Sequence, residues 1–586
     1  MSEFTIQARR RTTFVVGILF FMAAALVVRL LDLQLLRHDE LLARAQEVVT
    51  AELPLRARRG HIYDRVGRPL ALNEKGYVLW VDGEQFESSA AGISLVSNAC
   101  TRQSREVVVQ LMAGQAKGFY LCSRWVDPSI AEDILRLIEA EEIQGVIMET
   151  EPRRIYPYGP LLAPILGYLQ DSGELVANDT TPYESHGGVE EAHDTELRGV
   201  DGKIITERDP QNDMIPIGNR EEFPPRDGAN VTLTLDLNIQ YMAEQMLSDA
   251  IEDADARRGD IVVLDPRTGA ILAMVSSPSF DPTRIAECAA DPVCAEVLYT
   301  NPAIGLHYEP GSTMKIVTMA IALEEHVVYP EWAFECTGLA NVDGIYFHNW
   351  DGGSHGYETL DQILLHSCNV GAVTIGQMIN PETYYGYLDR LGFGHETGVD
   401  LAGEAPGYVR NTEVEGWTLV DQAANAFGQA INVTPLQLAS AVATVANGGE
   451  VFQPYIVQAI EQNGVVTTTL PNLMTRAFHK EVCAEVTTML VAVGDSKGQD
   501  GGPLVPGYRL ALKTGTAQIP IPGEGYEPHR TIASAIGYGP ADDPQFVILV
   551  RIEGNSVIWG EEVAVPVVRD LASFTLAYLH IPPTSE

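Results

Sequence analysis

The sequence predicts an α+β protein of several domains that begins with a membrane-spanning helix. A chain of 586 residues is too long for one ordinary domain. An uncharged apolar run fills residues 14–28, close to the N-terminus. Farther along, strand-like and helix-like apolar stretches alternate with turns that contain Pro and Gly, without one dominant period. Together these observations favour a membrane anchor followed by mixed α+β domains.

The composition excludes two broad classes of protein. Apolar residues make up 46% of the chain and charged residues 20%, so the chain can bury real cores and is not a disordered protein. Acidic residues outnumber basic ones by 79 to 39, which opposes binding to a polyanion through counterion release. We therefore expect no nucleic-acid partner.

Seven cysteines are too few for a disulfide scaffold in a chain of this length. Cys100 and Cys122, and likewise Cys288 and Cys294, are close enough in sequence to form bridges in an oxidising compartment. Free buried thiols are the alternative, so the sequence leaves the pairing open.

The N-terminal apolar segment resembles a signal anchor. Three arginines at positions 9–11 precede it, and it continues to Leu36 across Arg29 and Asp32. A cleaved signal peptide would have a shorter apolar region followed by small residues. The arginine cluster favours a cytoplasmic N-terminus and an extracytoplasmic bulk. We expect a single-pass protein of the cell membrane.

The clearest break in the secondary-structure pattern near the middle of the chain is the segment 221–228, which contains Pro224 and Pro225. Before it, the pattern is irregular. After it, the pattern of strands and helices is clear, so we place a domain boundary here. The predicted units are a cytoplasmic tail (1–11), a transmembrane anchor (12–36), an N-terminal domain (37–225) and a C-terminal domain (226–586).

The C-terminal part carries distinct element patterns. Thr434 and Pro435 are typical of the first residues of a helix, which would continue to residue 446. The other predicted helices cover 237–252 and 567–578, and the predicted strands cover 231–235, 260–264, 270–275, 509–514 and 545–552.

Ser312 and Lys315 form the first motif that carries chemistry. Lys315 is the one lysine of seven that has a serine three residues before it. The apolar stretch that follows places this pair at the start of a buried helix, where the hydroxyl and the amine share one face. Burial can push the pKa of a lysine towards neutrality, so that it can take a proton from a serine. Alone, the motif is weak, because a capping serine with a solvated lysine has the same spacing.

Two further motifs follow at larger spacings. Ser367 and Asn369 would project in the same direction from an extended segment and offer a hydroxyl and an amide to a peptide bond. Lys513 and Thr514 offer a cation and a hydroxyl to a carboxylate, and Gly515 would let a substrate strand approach the edge of a sheet. The order Ser-x-x-Lys, Ser-x-Asn, Lys-Thr-Gly matches the penicillin-recognising serine acyltransferases.

A zinc site is a competing interpretation of the residues around the second motif. Their spacings fit no regular ligand pattern, so we predict no metal and no cofactor. We interpret the thiol beside Ser367 as packing and the first two histidines as loop residues that border a cleft. The candidate ligands lie within 33 residues of each other: Cys336, His348, His355, His366 and Cys368.

With these motifs, the sequence resembles the class B penicillin-binding proteins, the monofunctional D,D-transpeptidases of peptidoglycan synthesis. The resemblance implies an N-terminal pedestal domain of the dimerisation type, followed by a penicillin-binding transpeptidase domain. That domain would have an antiparallel sheet flanked by helices, as in the serine β-lactamases. The resemblance covers nearly the whole chain and includes the family-like segments 59–65, 154–157, 188–190, 197–199 and 427–435.

The resemblance also assigns roles to the motif residues. Ser312 would be the nucleophile and Lys315 would take its proton, although whether Lys315 is the sole base stays open. Ser367 would relay a proton to the leaving D-Ala, and Asn369 would hold the donor amide. The backbone amides of Ser312 and Thr516 would form the oxyanion hole. The terminal carboxylate of the substrate would be bound at Lys513, Thr514, Gly515 and Thr516.

The implied activity is that of a serine-type D-Ala-D-Ala transpeptidase in cell wall synthesis. Its substrates would be stem peptides on lipid-linked precursors or nascent glycan strands, and β-lactams would be covalent inhibitors. A separate membrane glycosyltransferase would be a partner, because the chain has no room for a polymerase domain of its own. A D,D-carboxypeptidase, a β-lactam-hydrolysing enzyme or a β-lactam receptor remains the alternative. The sequence does not distinguish a role in elongation from one in septation, nor does it fix the oligomeric state.

Overall fold

A computed structural model describes residues 3–41, 50–100, 119–171, 183–207, 220–498, 501–521, 523 and 525–583. The chain divides into two compact units. The first contains Met1–Arg58 and Gly199–Gly228, and the second contains Arg59–Arg198 and Ala229–Glu586.

The first unit contains the N-terminal helix and a small sheet. The helix covers Glu3–Leu31 and continues as a π-helical segment, Asp32–Leu36, with the apolar side chains between Phe14 and Leu31 exposed. Within the described residues, Arg9–Leu36 is the one helical stretch long and apolar enough to cross a membrane, in agreement with the predicted anchor. The sheet has three antiparallel strands: Thr50–Leu55, Gly202–Glu207 and Arg220–Phe223.

In the second unit, a seven-stranded sheet joins early and late parts of the chain. Asn230–Leu233 lies parallel to Ile62–Tyr63, and the Val231 amide donates to the His61 carbonyl at 2.8 Å. The strand directly after the predicted boundary at 225/226 therefore pairs with a strand before it. The sheet runs in the order Val465–Thr468, Val457–Gln462, Asn230–Leu233, Ile62–Tyr63, Pro69–Asp82 and Phe119–Ser123, with Val146–Ile155 also paired to Pro69–Asp82.

A second, five-stranded sheet forms the centre of this unit. Neighbouring side chains along its strands point to opposite faces, and both faces are covered. Val262 belongs to the core on one face, and Ile261 and Val263 to the core on the other. Burial on both faces explains why the run 261–264 is apolar without alternation. The strands are antiparallel, in the order Ala270–Ser277, Ala256–Asp265, Phe546–Gly554, Gly525–Gly539 and Ala511–Ile521.

Helices cover both faces of the central sheet. Leu237–Asp253 and Gly560–Tyr578 pack on one face. Pro435–Ala446 and Lys480–Ser496 pack on the other and contact the buried helix Lys315–Glu324. Ala511–Ile521, called the edge strand below, ends the sheet and leaves its outer side without a partner strand among the described residues.

Shorter elements complete the second unit. The shorter helices are Ala90–Ala99, Pro128–Glu139, Ala163–Leu166, Gly188–Ala192, Asp194–Arg198, Ile285–Ala290, Pro292–Tyr299, Pro302–Gly305, Leu360–Leu365, Asn369–Met378, Pro381–Arg390 and Leu419–Asn425. Two-stranded ladders join Glu87–Ser88 to Ile143–Gln144, Tyr168–Asp171 to Tyr183–His186, Ala333–Cys336 to Gly356–Thr359, Leu339–Val342 to Ile345–His348, Tyr408–Val409 to Ile431–Asn432, and Glu450–Phe452 to Leu473–Arg476.

Three of the family-like segments meet at one buried carboxylate. Glu190 is fully buried and accepts hydrogen bonds from Arg59 Nε at 2.6 Å and Arg154 Nε at 2.7 Å. Burial alone would raise the pKa of Glu190, but the two arginines outweigh this effect and lower it. These segments therefore hold the N-terminal part of the second unit together by charge pairing.

Both close cysteine pairs form disulfides. Cys100 is bonded to Cys122, and Cys288 is bonded to Cys294. The other three cysteines are free and buried: Cys336, Cys368 and Cys483.

The predicted α+β fold is confirmed, with an N-terminal apolar helix and an antiparallel sheet flanked by helices. The helix expected from Thr434 and Pro435 is Pro435–Ala446, and Thr434 Oγ1 accepts from the Gln437 amide at 3.1 Å. The last helix begins at Gly560, seven residues earlier than predicted, because it continues through Pro566. Gly525–Gly539 was not predicted as a strand, because its first residues are polar.

Candidate active site

Ser312 lies in a short 3-10 turn, Gly311–Met314, which leads into the buried helix Lys315–Glu324. The turn is fixed at its first residue. Gly311 has a φ of +57°, and its amide donates to the Gly428 carbonyl at 2.9 Å. Ser312 stays half-buried while both its neighbours are buried. The predicted position at the start of a buried helix is therefore correct to within one turn.

Lys315 is the centre of the site. Its side chain is buried, and Nζ lies 3.0 Å from Ser312 Oγ, 2.8 Å from Asn369 Oδ1, and 2.6 and 3.1 Å from the carbonyl oxygen and Oγ of Ser367. Burial, and then the positive charge of Lys513, hold the pKa of Lys315 well below its ordinary value. A lowered pKa favours the neutral amine, which is the form that can accept a proton from Ser312.

Ser367 and Asn369 both reach Lys315, but not from an extended segment. Ser367 has a φ of +56°, a conformation that few non-glycine residues adopt, and Asn369 opens the helix Asn369–Met378. The expectation of an extended segment is therefore wrong, and a tight turn supplies the common direction of the two side chains. Asn369 Nδ2 donates to the His348 carbonyl at 3.1 Å.

The Lys-Thr-Gly motif lies on the edge strand, beside the turn that carries Ser312. Lys513 is buried, and its Nζ donates to Ser367 Oγ at 3.2 Å and to the Thr514 carbonyl at 3.0 Å. Burial, with a smaller contribution from Lys497, lowers the pKa of Lys513 to about 7. Ser367 Oγ therefore lies between two buried amines.

The structure gives a reason for Gly515 that the sequence did not suggest. A Cβ at this position would lie 2.5 Å from Ser534 Oγ and 3.1 Å from the Pro310 carbonyl oxygen. Both atoms belong to the protein, so the glycine lets the edge strand pack against its own neighbours.

The site lies in a cleft of about 730 Å³. Trp350 and Trp559 form a wall, with their ring centroids 5.7 Å apart. Lys497 and Glu561 add an ion pair of 2.6 Å, Nζ to Oε2. Trp559 and this ion pair were not predicted from the sequence, because no short motif contains them. The cleft brings these side chains together with Ser312, Ser367, Thr514, Gly515 and Thr516.

The residues considered as zinc ligands converge only in part. Cys336, His355 and Cys368 lie together, with their possible ligand atoms within 4.8 Å of one another. Glu358 completes this group and was not among the predicted ligands, which were all cysteines and histidines. His355 borders the cleft as expected.

Comparisons with known proteins agree with this architecture. The family described as "Penicillin binding protein transpeptidase domain" matches residues 259–573, and the "Penicillin-binding Protein dimerisation domain" matches residues 54–233. The first match contains all three motifs, from Ser312 to Thr516.

Two curated relatives extend over almost the whole chain. Stage V sporulation protein D of Bacillus subtilis is 30% identical over 594 residues, covering 100% of this chain and 88% of the relative. The peptidoglycan D,D-transpeptidase FtsI homolog of Mesostigma viride is 30% identical over 597 residues, covering 97% and 96%.

A solved structure shares the fold. Penicillin-binding protein 2X of Streptococcus thermophilus superimposes with a TM-score of 0.75 at 22% identity, covering 90% of this chain and 80% of that protein. From the motif geometry, the family matches and the full-length relatives, this chain belongs to the penicillin-binding protein transpeptidases.

Proposed function

We propose that this chain is a serine-type D-Ala-D-Ala transpeptidase that cross-links peptidoglycan stem peptides through an acyl-enzyme on Ser312. The observation that carries the proposal is the buried Lys315 amine, 3.0 Å from Ser312 Oγ and with a lowered pKa. A full-length relative named as a peptidoglycan D,D-transpeptidase supports the substrate class.

In the first step, Ser312 Oγ attacks the carbonyl carbon of the penultimate D-Ala of a donor stem peptide. Its proton passes to the neutral amine of Lys315. As the tetrahedral intermediate collapses, the terminal D-Ala leaves and takes up a proton. Ser367 Oγ, 3.1 Å from Lys315 Nζ, is placed to relay that proton. The product is an ester between the donor peptide and Ser312.

The edge strand binds the donor peptide. Lys513 and the hydroxyls of Thr514 and Thr516 hold the terminal carboxylate, whose charge would favour the protonated form of Lys513. The amides of Ser312 and Thr516 would donate to the oxyanion. The turn and the strand are close enough for this, because a Cβ on Gly311 would lie 3.2 Å from the Thr516 carbonyl oxygen.

In the second step, an amine of a neighbouring stem peptide attacks the ester carbonyl. The bond between the acyl carbon and Ser312 Oγ breaks, the proton lost by the attacking amine passes through Lys315 to Oγ, and the new amide is the cross-link. β-Lactams would acylate Ser312 by the first step and stay attached. Reaction of the ester with water instead would make the protein a carboxypeptidase or a β-lactam hydrolase, and a receptor would stop at acylation.

A product assay separates these activities. Detergent-purified full-length protein is incubated with a D-Ala-D-Ala donor peptide and an amine acceptor, and the products are separated by mass. We expect the cross-linked amide to exceed the hydrolysed donor and Ser312→Ala to give neither. Ser248→Ala, on the exposed side of Leu237–Asp253, is the matched control. Hydrolysis alone, or acylation without turnover, would contradict the transpeptidase assignment.

The proposed organisation follows the expected domains. Residues 1–11 are the cytoplasmic tail, 12–36 cross the cell membrane, and the pedestal (37–225) and transpeptidase domain (226–586) are extracytoplasmic. The disulfides Cys100–Cys122 and Cys288–Cys294 support this orientation, because disulfides persist in oxidising compartments.

A membrane glycosyltransferase is the proposed partner that supplies nascent strands. The anchor carries Arg29 and Asp32 near one end, and they form an ion pair of 2.6 Å within the helix. Each charge of this pair is balanced by the other, so a contact with the partner would rest mainly on the apolar side chains of the helix. Replacing residues 12–36 by an unrelated membrane helix should abolish co-purification of the polymerase and leave β-lactam acylation intact. Wild-type levels of co-purification would place the interface elsewhere.

A further inference from the structure

Four side chains with metal-ligand chemistry lie directly behind the second motif. Cys336 and Glu358 lie on the two strands of one antiparallel ladder, and His355 immediately precedes the second strand. Cys368 is the middle residue of the Ser-x-Asn motif. Their possible ligand atoms all lie within 4.8 Å of one another. We call these four residues the ligand cluster.

The ligand cluster contains buried polar atoms without hydrogen-bond partners. Glu358 is 1% exposed, and its Oε2 has no partner. Among the described residues it pairs with no lysine or arginine, and its Oε1 lies 2.6 Å from His366 Nδ1. His355 Nδ1 also makes no hydrogen bond, and its nearest polar neighbour is Glu358 Oε1 at 3.3 Å. A buried carboxylate oxygen and a buried imidazole nitrogen left this way are unfavourable unless a cation binds them.

The other sides of the ligands are held by groups that would orient them. His355 Nε2 lies 3.2 Å from Asp351 Oδ2, which leaves Nδ1 as the lone-pair nitrogen facing Glu358. Ligating histidines in metal sites are oriented by a carboxylate in the same way. Because Glu358 Oε1 already contacts His366 Nδ1, Oε2 is the carboxylate oxygen that remains available to a metal ion.

Each of the two sulfur atoms accepts a hydrogen bond from a nitrogen donor, and Cys368 Sγ is also placed to donate to Cys336 Sγ and, at 3.5 Å, to Asn349 Oδ1. Asn349 Nδ2 donates to Cys336 Sγ at 3.1 Å, and the Gly371 amide donates to Cys368 Sγ at 3.2 Å. The sulfurs are 3.3 Å apart, well beyond the bond length of a disulfide. Both are fully buried.

We propose that Cys336, His355, Glu358 and Cys368 bind a Zn²⁺ ion. Two thiolates, an imidazole and a carboxylate are ligands that zinc takes in tetrahedral sites, whereas magnesium and calcium prefer oxygen alone. Zinc bond lengths place neighbouring donor atoms about 3.3–3.8 Å apart in a tetrahedron. Small side-chain rotations bring the ligand cluster from its present spread to that geometry.

The ion would fix the second motif. Cys368 lies between Ser367 and Asn369, so a bond from its sulfur to zinc ties both catalytic candidates to the ladder of Cys336 and Glu358. The backbone of Ser367 is held in an unfavourable left-handed conformation, which needs support from its surroundings. A metal on the next residue supplies that support. The zinc would act as a positioning element and would not touch the substrate.

A disulfide between Cys336 and Cys368 is the competing account of the two sulfurs. It would explain their proximity, but it would leave His355 Nδ1 and Glu358 Oε2 without partners. In an oxidising compartment, zinc would also protect the two thiols from forming that bridge. The four-residue geometry therefore favours the metal.

The direct test is metal analysis of the full-length protein. Protein purified in detergent without chelator, with its affinity tag removed, is equilibrated with zinc, desalted and measured by elemental mass spectrometry. We expect about one zinc per chain, and alkylation of Cys336 and Cys368 only after the zinc is removed. Background zinc with freely alkylated thiols, or a Cys336–Cys368 disulfide in the peptide map, would overturn the proposal.

Matched variants assign the ligands. Cys336→Ser and Glu358→Gln should lose stoichiometric zinc, whereas Cys483→Ser, at the remaining free buried cysteine, should keep it. Cobalt exchanged into the wild-type protein should give a sulfur-to-cobalt charge-transfer band, and this readout stands even where a variant fails to fold. Full zinc content in both ligand variants, or cobalt bound without sulfur, would exclude the ligand cluster as the site.

The positioning role has its own readout. Complete removal of zinc should lower the rate of penicillin acylation, and re-addition of zinc should restore it. The same cycle on Cys483→Ser should give the same response. An acylation rate that is unchanged after complete removal would show that the ion does not position Ser367. Because acylation needs no acceptor, this test does not depend on whether the protein is a transferase or a hydrolase.

Discussion

At the scale of single residues, the site depends on two buried lysines that share one serine. Lys315 Nζ and Lys513 Nζ lie 3.1 and 3.2 Å from Ser367 Oγ. Burial lowers the pKa of both amines, and the charge of Lys513 lowers that of Lys315 further. Two cations so close together are unfavourable, so protonation of one amine disfavours protonation of the other. In the proposed mechanism, Lys315 is the base and Lys513 binds the carboxylate.

Replacing Lys315 by arginine should slow acylation by a fluorescent penicillin by roughly 10² to 10⁴, the range for a lost general base. Arginine keeps its proton, so it cannot take the proton of Ser312. The rate is measured by stopped-flow fluorescence. Lys480→Arg, at the exposed start of Lys480–Ser496, is the control and should react as the wild type does. Equal rates for both variants would mean that another group takes the proton.

Lys513 should make stability depend on pH. Its pKa is lowered from 10.5 to about 7 in the folded protein. Between these values the unfolded chain binds more protons, so stability rises with pH across this window and is lowest below about 7. Lys513→Met removes this penalty, which is on the order of 5 kcal/mol at most. The difference in Tm, variant minus wild type, should therefore decrease from pH 7 to pH 10. A difference that does not change with pH would contradict the shifted pKa.

At the scale of elements, the edge strand and the turn that carries Ser312 must stay closely packed. Gly515 lies against Ser534 Oγ and the carbonyl of Pro310, which is the residue directly before the turn.

The sequence predicted the motif residues, because their spacing is local and the helix and strand around them have clear patterns. It did not predict Glu358 as a neighbour of Cys368 or Trp559 as part of the wall. Those contacts depend on strand register and long-range packing, which no local pattern encodes.

Gly515→Ala should therefore reduce penicillin acylation strongly and lower Tm by several degrees, since the added methyl group displaces the edge strand from the turn. Adding Ser534→Ala removes the closest clashing atom and should restore part of both losses. Gly386→Ala, in an open position on Pro381–Arg390, should leave acylation unchanged. If Gly515→Ala were acylated at the wild-type rate, the edge strand would have space for a methyl group, contrary to this account.

At the scale of the whole molecule, the predicted domain boundary at 225/226 crosses a continuous sheet. Val231 and Leu233 are fully buried, and their strand pairs with Ile62–Tyr63. The irregular pattern before residue 225 gave no sign of this parallel pairing. The proposed transpeptidase domain therefore contributes a strand to a sheet that the pedestal helps to build.

Removing the pedestal should weaken the transpeptidase domain without abolishing its chemistry. A fragment of residues 226–586 would expose the edge of Asn230–Leu233, while the central sheet and all three motifs stay within it. We expect it to bind penicillin but to unfold at a lower temperature than the ectodomain 37–586. Both are compared by thermal unfolding and fluorescent labelling. An insoluble or unlabelled fragment beside an active ectodomain would show that the pedestal is part of the catalytic fold.

The central claim is that Ser312 forms a covalent acyl-enzyme. Mass spectrometry of the intact full-length protein after incubation with penicillin, followed by peptide mapping, tests it most directly. The account predicts one penicilloyl adduct on the peptide that contains Ser312, no adduct on folded Ser312→Ala, and a full adduct on Ser248→Ala. An adduct on another residue, or one that persists in Ser312→Ala, would contradict it.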